Sequence, residues 1–356
     1  MDKQIDLFRE RILDAAARHQ PLCIRGGGSK DWYGRQPTGE VLDTRSCSGI
    51  LSYDPTELVI TVGSGTPLVE VEQVLAQRNQ MLAFEPPHFG PEATVGGMVA
   101  AGLAGPRRAA VGAVRDFVLG ASLMDGKGQV LHFGGQVMKN VAGYDVSRLL
   151  AGSLGTLGLL LDVSLKVLPQ PYAETTMRLE LNEADAIQRL NEWGGQPLPI
   201  SASAWCEGVL MVRLSGAQAG LAAAKAVIGG EEIPDAGAFW LAMREQSNDF
   251  FTQAPVLWRL SVPSTARPLA LAGEQLIEWG GAQRWLRLHD ASAHTEQEIR
   301  SIVSAVGGHA TLFRGGDRRS QIFHPLAPAV ERIHRNLKQT FDPAGIFNPG
   351  RMFDTF

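Results

Sequence analysis

Glycine placement limits what this chain can fold into more than any other feature. Glycines gather at 26–28, 96–105, 152–158 and 229–230, and 40 of the 356 residues are glycine, against a usual share of about 7%. A glycine loop at an element boundary supplies positive φ in a tight turn, or brings backbone close to something else. Arg25-Gly-Gly-Gly-Ser29 follows a short apolar strand over 21–24. Its consecutive amides can face one concavity and hold a diphosphate. Ser29 adds a hydroxyl donor, and Arg25 adds charge or a structural pair; a plain tight turn is the alternative. Thr94-Val-Gly-Gly97, with Ala100, Ala101 and Gly102, opens a predicted helix whose unpaired N-terminal amides form a second anion site. Close helix packing through small residues is the competing explanation. Gly152-Ser-Leu-Gly-Thr-Leu-Gly158 leads into a strand over 157–168, where bare backbone can approach a planar ring. Each group is ambiguous alone, but three in one half of the chain favour a large phosphate-bearing cofactor.

A nicotinamide site of the Rossmann type is the obvious rival. Gly63-Ser-Gly65 follows a strand and opens a helix, but Leu68 occupies the third glycine position. Glu85 falls at the right distance for a ribose ligand, yet precedes two prolines instead of ending a parallel strand. Regular βαβ alternation is missing as well.

The remaining patterns outline an α+β chain. An amphipathic helix comes first, with Ile5, Phe8, Ile12 and Ala16 on one face. Thr66 reads as the cap of a helix with Pro67 at its first position and a stripe of Leu68, Val71, Val74 and Leu75. Strands over 118–124 and 130–133 flank the turn Asp125-Gly-Lys-Gly128 as a hairpin. From 175 to about 308 the pattern runs strand, helix, strand, strand, helix and then recurs loosely. That suits an antiparallel sheet with helices on one face. A last helix over 327–341 ends at Asp342-Pro343.

With this length two domains are the default. A net charge of -4 gives no support to a nucleic-acid surface. Cys23, Cys47 and Cys206 stand far apart with no CxxC, which suggests a reducing compartment and leaves no iron–sulfur cluster held by this chain alone. No segment has the apolar length of a membrane span or a signal peptide, so the expectation is a cytoplasmic protein that can dock at the membrane's inner face through partners.

Six motifs in order carry a resemblance. Arg25-Gly-Gly-Gly-Ser29, Thr94-Val-Gly-Gly97, Val114-Arg-Asp-Phe-Val-Leu-Gly120, Lys139-Asn-Val-Ala-Gly-Tyr-Asp145, Gly152-Ser-Leu-Gly-Thr-Leu-Gly158 and Asp342-Pro-Ala-Gly-Ile-Phe-Asn-Pro-Gly350 together resemble FAD-linked oxidases with a PCMH-type (vanillyl-alcohol-oxidase-like) FAD domain. Within these, the motif set is most similar to the FAD-binding subunits of glycolate oxidase. The resemblance covers about 20–170 and 327–352; the middle matches only in its pattern of elements.

The resemblance implies a PCMH-type FAD domain of two subdomains over 1–172, an antiparallel-sheet cap over 173–326, and a C-terminal segment over 327–356 that returns to the FAD domain. Arg25, Gly26, Gly27, Gly28, Ser29, Thr94, Gly96 and Gly97 would contact the FAD diphosphate. Gly155, Gly158 and Leu159 would meet the adenine end or ribityl chain. Members with covalent flavin carry a histidine where this chain has Ser29, so FAD should be held without a covalent link. The implied reaction is oxidation of a small 2-hydroxy acid such as glycolate to its 2-oxo acid. The implied partners are a catalytic flavin subunit and an iron–sulfur subunit.

Departures from the family pattern bear on that reaction. Catalytic 2-hydroxy-acid dehydrogenases of this family carry a metal- and substrate-binding His-x-Gly-Asp-Gly-Asn-x-His motif and a later Glu-His-Gly. Here His289, His294, His309, His324 and His334 are scattered, and Phe313-Arg-Gly-Gly-Asp317 stands where Glu-His-Gly is expected. Catalytic residues are therefore not assigned and no metal is expected. The chain reads as an accessory, electron-relaying subunit, with a self-sufficient FAD-dependent dehydrogenase as the alternative. Arg314, Arg318 and Arg319 could grip a carboxylate, but a solvated loop or a contact that docks a partner subunit is the preferred reading.

Overall fold

The computed structural model describes residues 2–135, 145–289 and 293–354. Residues 139–144 of the Lys139 motif and the side chain of His294 lie outside what is described.

Helix α1 (Asp2–Arg18) is followed by β1 (Leu22–Arg25) and β2 (Glu40–Asp43), which pair in parallel. Phe8, Ile12 and Ala15 of α1 cover them, together with Leu159 and Leu161 from a later strand. The tail also joins this unit, since Leu22 N–H donates to Ile346 O and Asn348 N–H to Leu22 O.

Next comes a five-stranded antiparallel sheet. Its order is β3 (Ile50–Asp54), β4 (Val59–Gly63), Leu159–Lys166, Val118–Met124 and Val130–Gly134. Ile60, Val62, Leu123 and Val163 meet Leu68, Val71 and Leu75 of α2 (Leu68–Ala76) and Val95, Met98 and Val99 of α3 (Val95–Ala101). Antiparallel pairing on both sides of β4 rules out the βαβ unit that a Rossmann site needs. Pro67, not Thr66, is the N-cap of α2. Thr66 is fully buried; its hydroxyl donates to Gly63 O and accepts from Gly49 N–H, fastening the turn before the helix.

Residues from 173 onward build an eight-stranded sheet with antiparallel pairings. Its order is Glu231–Ile233, Ala173–Glu180, Val209–Gly216, Ile200–Cys206, Glu274–Glu278, Gln283–Leu288, Val256–Ser261 and His309–Arg314. Adjacent residues of a strand face opposite sides. Trp205, Ile277, Leu286, Trp258 and Leu312 thus pack in the clusters that take up Glu183–Gly194, Gln218–Ile228 and Ala293–Ala305. Ala204, Leu276, Trp285, Leu257 and Phe313 face the other way, onto Tyr33, Ala101, Leu103 and Leu154 from the first half. Helix Gly237–Glu245, which the sequence reading did not foresee, sits on this second face through Trp240 and Met243.

Buried charge ties the halves together. Glu85 accepts from Arg213 Nη2 at 2.8 and 3.0 Å and from the Arg107 backbone N–H at 2.9 Å, while Arg107 also pairs with Glu174. The Arg107 and Arg213 side chains are each only 6% exposed. Glu85 is therefore committed to two guanidiniums and is no ribose ligand. Removing one partner of a buried ion pair costs roughly 3–5 kcal/mol. Glu85→Ala should lose that order of stability in urea unfolding; a loss under about 1 kcal/mol would mean a solvent-screened pair.

Candidate functional site

The glycine groups converge. The loop after β1, the start of α3 and the segment before Leu159–Lys166 line one cleft, which opens to solvent. Arg25, Gly26, Gly27, Gly28, Ser29, Thr94, Gly96, Gly97, Gly155 and Gly158 all lie on its wall. Leu159 does not. It is fully buried in the core beneath α1, and its neighbour Leu160 faces the cleft instead. A register shift, in which Ser122 pairs with Asp162 but Leu123 with Leu160, resets the strand's alternation there.

Close approach explains the glycines of the first loop. A Cβ at Gly27 would stand 1.4 Å from Glu92 O, and one at Gly26 2.3 Å from Thr94 Oγ1. Among the described residues none accepts a hydrogen bond from the amides of Gly26 to Ser29. Arg25 is the structural pair of the two options, since its Nε donates to Asp31 at 2.6 Å and closes the loop.

The start of α3 behaves otherwise. Val95 N–H donates to Thr66 O, Gly96 N–H to Ser64 O at 2.7 Å, and Gly97 N–H to Thr94 Oγ1 at 3.3 Å. Two of the amides expected to be unpaired there are therefore spent on the β4–α2 turn and the third on the helix's own cap, and this segment contributes bare surface rather than donors.

Several wall residues escaped the sequence reading. Ser64 Oγ is buried with no partner and lines the cleft, so a polar ligand atom would complete it. Burial pulls the Lys30 ammonium down to about 8, and it donates to His88 O at 3.0 Å. Arg351 reaches Asp31 O at 2.9 Å and Arg35 O at 2.6 Å. With Arg25 these cations outnumber Asp31, the one carboxylate among the lining residues, which favours an anion. Asn348 holds the walls in register: its Oδ1 accepts from Ile24 N–H at 2.8 Å and its Nδ2 donates to Leu154 O at 2.6 Å. The tail motif contains Asn348 and ends just before Arg351, and Ser64 stands in the Gly63-Ser-Gly65 turn weighed above for a nicotinamide. Lys30 carries no pattern of its own.

The histidines and the basic loop lie elsewhere. His309 and His324 have ring centroids 6.3 Å apart, so they are neighbours rather than isolated, but neither lines the cleft. Burial holds both below the usual imidazole range. No group of three or more His, Cys, Asp or Glu among the described residues is arranged to hold a metal ion. The basic loop is not simply solvated. Arg318 donates to Trp32 O and Gly34 O, both at 2.7 Å, and Arg314 lies 4.7 Å over the Trp32 ring. Only Arg319 is exposed, because the other two are drawn into the joint between the halves.

Comparison with known proteins agrees with this geometry. The FAD binding domain family matches residues 5–134. Glycolate oxidase subunit GlcE of Escherichia coli K12 is 50% identical over 344 residues, 97% of this chain and 96% of that protein. Glycolate oxidase subunit GlcD of Bacillus subtilis is 32% identical over 180 residues, covering 49% of this chain and 38% of its own length. The structure of p-cresol methylhydroxylase with substrate bound aligns at a TM-score of 0.71 and 12% identity, over 98% of this chain and 87% of that one, a likeness of fold alone.

Proposed function

The chain belongs to the family of glycolate oxidase subunit GlcE, FAD-linked oxidoreductases of the PCMH-type fold, and on that premise we propose that it is the FAD-carrying accessory subunit of a complex that oxidises glycolate or a similar 2-hydroxy acid. The observation that supports the cofactor assignment best is the single cleft with four unspent amides, an orphaned Ser64 hydroxyl and excess positive charge. Gly26 to Ser29 would hold the diphosphate. Thr94, Gly96 and Gly97 would leave room beside it, and Gly155 and Gly158 would pass along the adenine end or ribityl chain. Bound FAD supplies a two-electron acceptor for the 2-hydroxy acid.

Ser29 replaces the linking histidine of covalent relatives, and no histidine lines the cleft. Acid precipitation of the purified chain should leave yellow flavin in the supernatant. Flavin remaining in the pellet would refute non-covalent binding.

We divide the chain into an FAD domain over 1–172, a cap over 173–326 and a returning segment over 327–356. The proposed partners are a catalytic flavin subunit and an iron–sulfur subunit. The three cysteines are free and two of them buried, which supports an iron–sulfur relay on another chain. Among the described residues no helix is long and apolar enough to cross a membrane; attachment at the inner membrane face would come through those partners.

One feature favours the second reading, a self-sufficient dehydrogenase. Glu278 is buried at the joint between the halves, and burial pushes its carboxyl up to about 7, a suitable value for a proton acceptor near neutral pH.

A further inference from the structure

Three cations among the described residues line the cleft, and the fold commits them unequally. Arg25 is paired with Asp31, and Arg351 donates to the main-chain oxygens of Asp31 and Arg35. Lys30, directly after the four unspent amides, is the exception. Its Nζ donates to His88 O at 3.0 Å and to Ser29 Oγ at 3.3 Å. An ammonium has three N–H groups, so one is left without a protein acceptor among the described residues. Glu245 is the carboxylate whose charge reaches Lys30, and it does so from beyond ion-pair distance.

The ammonium is nevertheless fixed in place. His88 and Phe89 N–H donate to the Glu245 carboxylate at 3.1 and 2.9 Å, and His88 Nε2 lies 3.0 Å from Glu72 Oε2 of α2. The carbonyl that anchors Lys30 is thus itself anchored, to helix Gly237–Glu245 and to α2. On the other side, Lys30 O accepts from Tyr33 N–H at 2.9 Å. The centre of the Phe89 ring stands 5.6 Å from Nζ.

A cation drawn out of water without a counter-ion is costly. The charged groups around Lys30 are Arg25 and Asp31 on its own loop, Arg351 on the tail and Arg314 beside Phe89. From α2 and helix Gly237–Glu245 come the His88–Glu72 pair, Arg244 and Glu245. Of these only Glu245 works against burial, and burial wins, which brings the ammonium down to about 8.

We propose that the Lys30 ammonium is a titratable clasp for the cofactor, taking an oxygen of the FAD diphosphate as the counter-ion that the protein withholds, so that FAD retention depends on its protonation. The identity of the anion rests on the FAD-subunit reading; the unpaired cation at the end of the amide row does not. An anion beside the ammonium raises its proton affinity. FAD binding is therefore strongest where Lys30 is charged in the free chain, below about pH 8. It weakens as pH rises from there through the higher value of the complex.

Titration calorimetry of the full, flavin-free chain with FAD, and separately with ADP, tests the clasp between about pH 6.5 and 10. ADP carries the diphosphate without the flavin. Near neutral pH, Lys30→Gln should weaken both ligands about tenfold to a hundredfold, the effect of a lost charge-assisted hydrogen bond. Wild type should lose a similar factor toward the alkaline end. Both variants should be flatter, Lys30→Gln weak throughout and Lys30→Arg tight throughout, since a guanidinium does not titrate in this range. The same pH slope in all three chains would overturn the clasp and leave Lys30 a tie to His88 O. So would a Lys30→Gln that weakens FAD but not ADP, because the ammonium would then face another part of the cofactor. A wild type that binds neither ligand at any pH would sink the FAD reading and the clasp together, whereas one that binds both irrespective of Lys30 sinks the clasp alone.

Discussion

Gly97→Asp should purify folded but without flavin, while Gly97→Ala keeps both. A Cβ at Gly97 meets only Thr94 Oγ1 at 3.2 Å, so a methyl group asks for a small adjustment. The aspartate adds a negative charge to the wall that faces the diphosphate. Two like charges about 5 Å apart repel by roughly 3 kcal/mol at an effective dielectric of ~20, which is more than a hundredfold in affinity. Gly27 differs in mechanism. Any side chain there must displace the Glu92 carbonyl, so Gly27→Asp should lose FAD through geometry as well as charge. The ratio of flavin to protein absorbance, with a melting curve for each variant, separates the two causes. Full flavin content in a folded Gly97→Asp would remove this segment from the diphosphate site.

Isolated and saturated with FAD, the chain should dehydrogenate glycolate about a hundred- to ten-thousand-fold more slowly than the assembled complex, even with an artificial acceptor. Positioned acid–base groups contribute that much, and the sequence lacks the histidine pair and Glu-His-Gly that supply them in catalytic relatives. Glu278 makes the experiment decisive. Robust turnover by the lone chain, abolished by Glu278→Gln, would establish the self-sufficient reading. Turnover that returns only with the partner subunits supports the accessory one.

Local signals carried much of the fold. Asp125-Gly-Lys-Gly128 announced its hairpin because that turn chemistry acts over a few residues, and the strands formed on either side of it as expected. Thr94 marked the start of α3, for its hydroxyl does cap that helix. The strands and helices between 173 and 228 followed their periodicity. Strand Glu274–Glu278 was missed because its outer residues are polar and its apolar pair, Leu276 and Ile277, is too short a signal.

The wall of the cleft was legible wherever bare backbone was its mark. Gly26 to Gly28, Gly96, Gly97, Gly155 and Gly158 need no side chain to act, so sequence position sufficed. Leu159 was misplaced because strand alternation says that neighbours diverge, not which of them meets α1. The amides at the start of α3 were misjudged because their acceptors, Ser64 O and Thr66 O, belong to another element.

The sequence by itself thus determined the family, the glycine loops that meet at one cleft and the order of elements as far as 228, through motifs and periodicities that span a few residues each. Tertiary structure alone decided what each surface faces. Asn348 reaches Ile24 across 324 residues, Arg318 reaches Trp32 across 286, and Arg213 meets Glu85 across 128. No periodicity encodes such meetings. They arise because burying the second face of the eight-stranded sheet against the first half stabilises the fold more than leaving either apolar surface in water, and the charges of Arg259, Arg314 and Glu278 are carried into the joint by that packing.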